Sequence, residues 1–315
     1  MLGATGTIGR ATRAALIRHG HKLVCFARPG SNVGPDEEGA CQWRFGDVTD
    51  ARALQRDGFC DEKFDVLLSC MSSRTGSSKD AWAIDYQAHL NALEGAQSSG
   101  VTHMVLLSAI CVQRPKLAFQ HAKLAFEAKL IASDMDYSIV RPTAFFKSLS
   151  GQIERVKNGK AFLLFGDGNL TACKPISDDD LAEYLAETVN RPDRRNSILP
   201  IGGPEPALTP REQGALLFAL LQQEPRFRHV PVAFMDVIIA SLSAIGSIFP
   251  AAAAKAELAR IGRYYATESM LLWDPIAGGY SADATPSTGH ETLADHYAKI
   301  LAGERTADLG EHAIF

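Results

Sequence analysis

The run Gly3-Ala4-Thr5-Gly6-Thr7-Ile8-Gly9 most limits what this chain can become, because the helical pattern Ala11–His19 follows it directly. Glycines spaced Gly-x-x-Gly-x-x-Gly make a tight strand-to-helix turn, and with no Cβ the backbone can approach a phosphate or a neighbouring strand closely. The helix behind the turn offers unpaired N–H groups and the positive end of its dipole. Such a turn belongs in a doubly wound α/β sheet and suits the pyrophosphate of a dinucleotide, making Gly3, Thr5, Gly6, Thr7, Ile8 and Gly9 candidate contacts. Only Met1 and Leu2 precede it, so the strand that should feed the turn is nearly missing. A start set too late, or a shortened chain, is the expectation, with unpaired edges on the strands either side.

The rest of the first half fits the same fold. Strand patterns at Lys22–Ala27, Gln42–Phe45, Phe64–Cys70, Met104–Ser108 and Tyr137–Val140 alternate with helical patterns at Ala81–Ser98 and Leu117–Ile131. Apolar strands separated by helices predict a parallel sheet covered on both faces, the Rossmann arrangement. Beyond Pro142 the pattern loosens to a strand at Lys160–Phe165, a helix from Ser177 to Val189 and a strand at Ile198–Ile201. Thr209-Pro210 with Glu212 marks another helix start. We expect a nucleotide-binding domain over 1–150 and a smaller, mostly helical substrate-binding part over 151–303, with segments returning to the sheet. A tail is expected over 304–315.

Where the second strand ends, an acid would read the ribose hydroxyls of NADH. This chain has Arg28, whose charge and paired N–H donors suit a 2′-phosphate, so NADPH is the expected cofactor. Asp47, after the third strand, is placed for the adenine or for a turn cap.

Composition excludes several classes. In 315 residues the formal charge is −4 and the apolar share 46%, which argues against disorder and against a general nucleic-acid binder. The 6 cysteines form no Cys-x-x-Cys pair, so no zinc or iron–sulfur signature exists and no metal is expected. No leader precedes the glycine turn, so a cytoplasmic protein with free thiols is the expectation. The apolar stretch Val232–Phe249 is interrupted by Asp236 and Gly246 and bracketed by Pro231 and Pro250. It reads as a buried or surface-docking helix, with peripheral contact to a membrane left open.

Ser108 after the fifth strand and Phe119-Gln-His-Ala-Lys123 on the next helix resemble the short-chain dehydrogenase/reductase superfamily in its atypical form. That superfamily carries Tyr-x-x-x-Lys here. Lys123 matches, but Phe119 replaces the tyrosine and has no proton to give a carbonyl oxygen. Longer segments add to the likeness: Leu107–Gln113, Phe119–Glu127, Tyr137–Gly151, Cys173–Ser177 and Tyr264–Met270 resemble the divinyl chlorophyllide 8-vinyl reductases. The resemblance spans Gly3 to about Leu301. It implies NADPH-dependent reduction of the 8-vinyl group of a divinyl (proto)chlorophyllide to ethyl, in chlorophyll or bacteriochlorophyll biosynthesis.

The implied chemistry tolerates the missing phenol. Hydride added to the terminal vinyl carbon sends charge into the conjugated macrocycle, so no oxyanion site is needed. Lys123 and Ser108 are the candidate catalytic residues, and Lys123 would also hold the nicotinamide ribose, near Pro142 and Thr143 at the end of the sixth strand. The proton would come from Lys123, His121 or water. Phe145 and Phe146 are candidate walls for the flat pigment or plain core, and Lys147 and Lys174 candidate partners for its propionate or solvated lysines. The rival reading is a sensor or assembly factor on the same fold that binds NADPH without turnover.

Overall fold

A computed structural model describes residues 1–33, 39–204, 206–246 and 249–305. Of the expected tail over 304–315, the part from 306 onward lies outside the described residues. The chain divides into two compact units. The first comprises Met1–Ser73, Ser78–Pro142 and Asp178–Pro200; the second comprises Arg74–Ser77, Thr143–Ser177 and the chain from Ile201 onward.

In the first unit, α1 (Thr7–Arg18) leads to the parallel pair β1 (Leu23–Ala27) and β2 (Cys41–Phe45). Next come β3 (Val66–Ser69), β4 (His103–Leu107), β5 (Asp136–Pro142) and β7 (Ser197–Ile201), hydrogen-bonded in the order β3-β4-β5-β7. Every residue of β4 is buried, as expected of a central strand covered on both faces. The covering helices are α2 (His89–Ser98), α3 (Ala118–Ile131) and α4 (Asp178–Val189). Leu67, Met104, Leu106 and Ile139 from the strands meet Ala92, Leu93, Phe126 and Leu130 from the helices in one core.

The expected gap ahead of the glycine turn is partly closed. Leu2 bridges Phe26 on one side and Ser69 on the other, both in parallel sense. Its N–H donates to Leu68 O at 2.9 Å, its carbonyl accepts from Cys70 N–H at 3.0 Å, and Phe26 N–H donates to Met1 O at 3.0 Å. Two residues therefore join β1 to β3 where a whole strand was looked for.

Two stretches depart from the expected helices. Leu54–Phe59 is wound as a π-helix continuing a short turn, Ala51–Ala53, and sequence reading found neither. The single helix expected over Ala81–Ser98 is interrupted by a π-wound segment, Trp82–Ala88, before α2 begins. A π-segment widens the helix and turns its side chains off the regular stripe, and often stands at functional sites.

The second unit has its own core of Phe146, Ile153, Phe162, Leu164, Leu217, Phe218, Leu293 and Tyr297. It holds the parallel pair β6 (Phe162–Phe165) and β8 (Phe227–Val230) and the antiparallel pair β9 (Leu272–Asp274) and β10 (Gly279–Ser281). The helix expected after Thr209 is α5 (Pro210–Leu220), with the Thr209 hydroxyl accepting Glu212 N–H and the Glu212 carboxylate accepting Thr209 N–H. The apolar stretch becomes α6 (Val232–Gly246), 15 residues long, followed by α7 (Pro250–Thr267) and later α8 (Leu293–Leu301). Met235 is the buried residue of α6, while Phe234, Val237 and Ile245 stand exposed. Asp236 of α6 pairs with Arg263 of α7. Among the described residues no helix is long and apolar enough to cross a membrane.

Candidate active site

The glycine turn closes as its spacing requires. Gly3 has φ 73, in the left-handed region, and a Cβ there would lie 2.6 Å from the backbone of Cys70 and Met71. A Cβ on Gly9 would lie 1.9 Å from Gly3 O, so this glycine lets α1 pack onto the turn. Gly6 differs: its Cβ would meet only Gly3 O, at 3.5 Å, and the residue is exposed. The first intrahelical bond runs from Arg10 N–H to Gly6 O at 2.8 Å, so the N–H groups of the first turn lie ahead of the helical ladder. Thr5, Thr7 and Ile8 are half-buried around this mouth. An exposed glycine backbone at an open helix N-terminus fits a pyrophosphate.

At the end of β1, Arg28 is exposed, and its charge acts on Asp47 after β2. The Asp47 carboxylate accepts from Thr49 N–H at 2.9 Å and Thr49 hydroxyl at 2.7 Å. Those bonds, with a smaller contribution from Arg28, hold its pKa below the ordinary carboxylate value. The turn-cap role of Asp47 is thus present.

Lys123 is buried on α3, and its ammonium sits 2.9 Å from Oδ1 of Asp85. The same oxygen accepts from Ser72 hydroxyl at 3.1 Å and Ser73 N–H at 3.2 Å. Burial alone would raise the Asp85 pKa, but the Lys123 charge and these donors outweigh it and the net shift is downward. Next to the pair, His89 Nδ1 meets Ile84 O at 2.9 Å and Nε2 meets Ser69 Oγ at 2.9 Å. Burial and the nearby Lys123 charge push His89 down to about 4, so it is a neutral imidazole.

Ser108 lines the same crevice as Lys123, Asp85 and His89. Its hydroxyl donates to Glu127 Oε1 at 2.5 Å, and Arg141 closes on the Glu127 carboxylate from β5. Ser108 is therefore brought to the expected place with its proton already committed. Phe119 is half-buried four residues before Lys123. His121 is exposed; two positions from a buried lysine, it faces the other side of α3 and is not gathered with Ser108 and Lys123.

The remaining candidates divide. Pro142 is buried at the end of β5. In the second unit, Thr143 has its N–H on Ile201 O at 2.9 Å and its hydroxyl on Lys174 O. Phe145 is half-buried, bridging Ile176, and Lys147 is half-buried. Phe146 is core: 2% exposed, its ring 5.2 Å from His296, it has no face left for a ligand. Lys174 fastens its own unit, donating to Thr285 O at 2.9 Å and Ser287 Oγ at 3.1 Å.

Sequence reasoning missed Asp85, His89, Glu127 and Arg141 as site residues. The signal was there in two helical stripes. Ala81, Asp85, Ala88, Ala92 and Ala96 are all buried, so one acid interrupts an otherwise alanine face. On α3 the buried face runs Gln120, Lys123, Glu127, Leu130, with three polar groups that each need a partner.

The family model for NAD(P)H-binding proteins matches residues 3–192. A chloroplastic divinyl chlorophyllide a 8-vinyl-reductase of Oryza sativa subsp. indica is 49% identical to this chain, covering 99% of it and 81% of the relative. The corresponding protein of Cucumis sativus is 48% identical, covering 100% of this chain and 79% of its own length. Among solved structures, the Escherichia coli NADPH-dependent quinone oxidoreductase QOR2, complexed with NADPH, superposes with a TM-score of 0.69 at 17% identity. It covers 95% of this chain and 98% of its own, a likeness of fold alone. With an NAD(P)H-binding fold and near-half identity along its whole length, the chain belongs to the divinyl chlorophyllide a 8-vinyl-reductase family.

Proposed function

We propose that this chain reduces the 8-vinyl group of a divinyl chlorophyllide to an ethyl group at the expense of NADPH. The observation that carries this reading is the commitment of Ser108 to Glu127, together with a phenylalanine, Phe119, at the phenol position four residues before Lys123. Both groups that would manage an oxyanion are absent or occupied, while the buried ammonium of Lys123 is kept. A substrate whose own conjugated ring takes up the electrons needs only that ammonium.

Bound NADPH supplies the hydride. The exposed Gly6 backbone and the first turn of α1 would receive the pyrophosphate, Arg28 would read the 2′-phosphate, and Pro142 would stand toward the nicotinamide. Lys123 would hold the nicotinamide ribose, and its ammonium would favour negative charge developing on the reduced vinyl group. The CH=CH2 group gains one hydride and one proton to become CH2–CH3. We assign the proton to the Lys123 ammonium, since His121 faces solvent. In the second unit, Phe145 and Lys147 are the candidate pigment residues, for its ring and its propionate.

Exposed Phe234, Val237 and Ile245 on α6 follow a segment in which Arg226 and Arg228 are also exposed. Apolar side chains beside a basic segment suit peripheral contact with an anionic, pigment-bearing membrane. Flotation with anionic vesicles, lost in Phe234→Glu, is the check.

The deciding experiment mixes purified chain, NADPH and divinyl chlorophyllide and follows the pigment spectrum. One NADPH consumed per monovinyl pigment formed is the expected result. A folded chain that binds NADPH yet converts no pigment would overturn the reading in favour of a non-catalytic sensor.

A further inference from the structure

We propose that Asp85 is a positioning residue for Lys123 whose second oxygen, Oδ2, accepts a hydroxyl of the nicotinamide ribose. The inference deepens the cofactor part of the function proposed above and rests on it.

The two Asp85 oxygens are unequally used. Oδ1 accepts from Lys123 Nζ at 2.9 Å, Ser72 Oγ at 3.1 Å and Ser73 N–H at 3.2 Å. Oδ2 is buried with no hydrogen-bond partner among the described residues. Asp85 itself is 1% exposed. A carboxylate oxygen left unmet out of water is costly, so a buried one signals a donor that arrives with a ligand.

The chemistry of that donor follows from the neighbours. Each hydroxyl of a vicinal diol gives one hydrogen bond and accepts others. An ammonium beside a carboxylate offers the matching donor and acceptor. His89 does not compete for Oδ2, because both its ring nitrogens are engaged, with Ile84 O and Ser69 Oγ. The π-wound segment Trp82–Ala88 is what presents Asp85 to α3. Lys123 is thus held from behind through Oδ1, while Oδ2 supplies the acceptor that lysine lacks.

The test reads nucleotide binding without pigment. Dissociation constants are measured for NADPH and for analogues lacking the 2′- or the 3′-hydroxyl of the nicotinamide ribose, on the native chain and on Asp85→Asn. Loss of one charge-assisted hydrogen bond should weaken native binding about tenfold or more for one analogue. Asp85→Asn should lose a similar factor toward NADPH and be indifferent to that same hydroxyl, so the two losses do not multiply. Losses that multiply independently, or native-like NADPH binding by Asp85→Asn, would overturn the proposal.

Asp85→Asn leaves a buried ammonium without its counter-charge and can fail to fold. The neutral pair Asp85→Asn/Lys123→Met is then compared with Lys123→Met alone. The single variant should still distinguish the analogues and the double should not; equal discrimination by both overturns the idea. A native chain that binds no NADPH sinks this proposal together with the cofactor reading. The expected binding pattern without pigment reduction upholds it and overturns only the substrate.

Discussion

The Ser108 hydroxyl lies 2.5 Å from Glu127 Oε1, with the serine following β4 and the glutamate four residues after Lys123 on α3. The Arg141 guanidinium engages the same carboxylate. A serine standing where carbonyl reductases use one is thereby tied into a buried structural triad that braces β5 against α3. Lys123 has a separate support in Asp85. The helix carries two buried polar systems side by side, one centred on Glu127 and one on Lys123.

Ser108→Ala should therefore cost stability more than rate. Removing a donor to a buried charged carboxylate costs about 1.5–3 kcal/mol. Turnover with divinyl chlorophyllide should fall by less than about tenfold. Glu127→Gln should destabilise more, about 3–5 kcal/mol, because the Arg141 guanidinium loses its buried counter-charge. Urea unfolding beside kcat for each variant checks both; a Ser108→Ala protein of native stability and abolished turnover would return the serine to catalysis.

The two glycines flanking Thr7 and Ile8 should separate folding from binding. A Cβ at Gly9 collides with Gly3 O at 1.9 Å, so Gly9→Ala must push α1 off the turn and should cost about 1–3 kcal/mol or more. A Cβ at Gly6 meets ordinary contact distance, so Gly6→Ala should fold with a loss of about 1 kcal/mol or less. Its methyl group would stand in the phosphate mouth and weaken NADPH binding at least about tenfold. Thermal melts and NADPH fluorescence titration on both variants give the comparison.

Arg28→Ala should change cofactor choice without changing the fold. The side chain is exposed at the end of β1, so its loss uncovers no core. A charge-assisted bond to a 2′-phosphate contributes roughly 1.5–3 kcal/mol, or about tenfold to a hundredfold in affinity. NADPH should weaken by that factor and NADH hardly at all. Equal weakening of the two would take Arg28 out of phosphate recognition.

Much of this was legible in the sequence, for physical reasons that differ by element. Glycine spacing is tied to backbone approach, so Gly3 and Gly9 could be placed from residue type alone. Strand and helix periods placed β3, β4 and α3 to within a few residues. The π-wound segments were not legible, since no residue type or spacing in Leu54–Phe59 or Trp82–Ala88 marks an i→i+5 turn apart from an ordinary helical one. Phe146 stayed open between pigment wall and core because an aromatic ring reads the same whether it lines a cleft or a core, and here His296 and the core of the second unit enclose it. Asp85 sits in the π-wound segment Trp82–Ala88 and Glu127 deep in α3, where a buried acid is a partner-seeking group, but its partner, whether Lys123 or Ser108, is set only by tertiary packing.

His89 is held at about 4, below the roughly 6.5 of an unfolded histidine. The unfolded chain therefore binds a proton that the native chain refuses, and stability falls as pH drops from about 6.5 toward 4, by at most about 1.4 kcal/mol per pH unit for this group. Asp85 acts in a lower window with the same sign. Its pKa is depressed, so its contribution is complete above the unfolded value near 3.9 and is lost as pH falls through the folded value. His103 and His296 are also pushed down to about 4 by burial, and supply the slope that remains when His89 is replaced. Urea midpoints at pH 7, 6 and 5 should fall steadily in the native chain and less steeply in His89→Gln. Parallel curves for the two proteins would mean that His89 accepts its proton in the folded state as readily as in water.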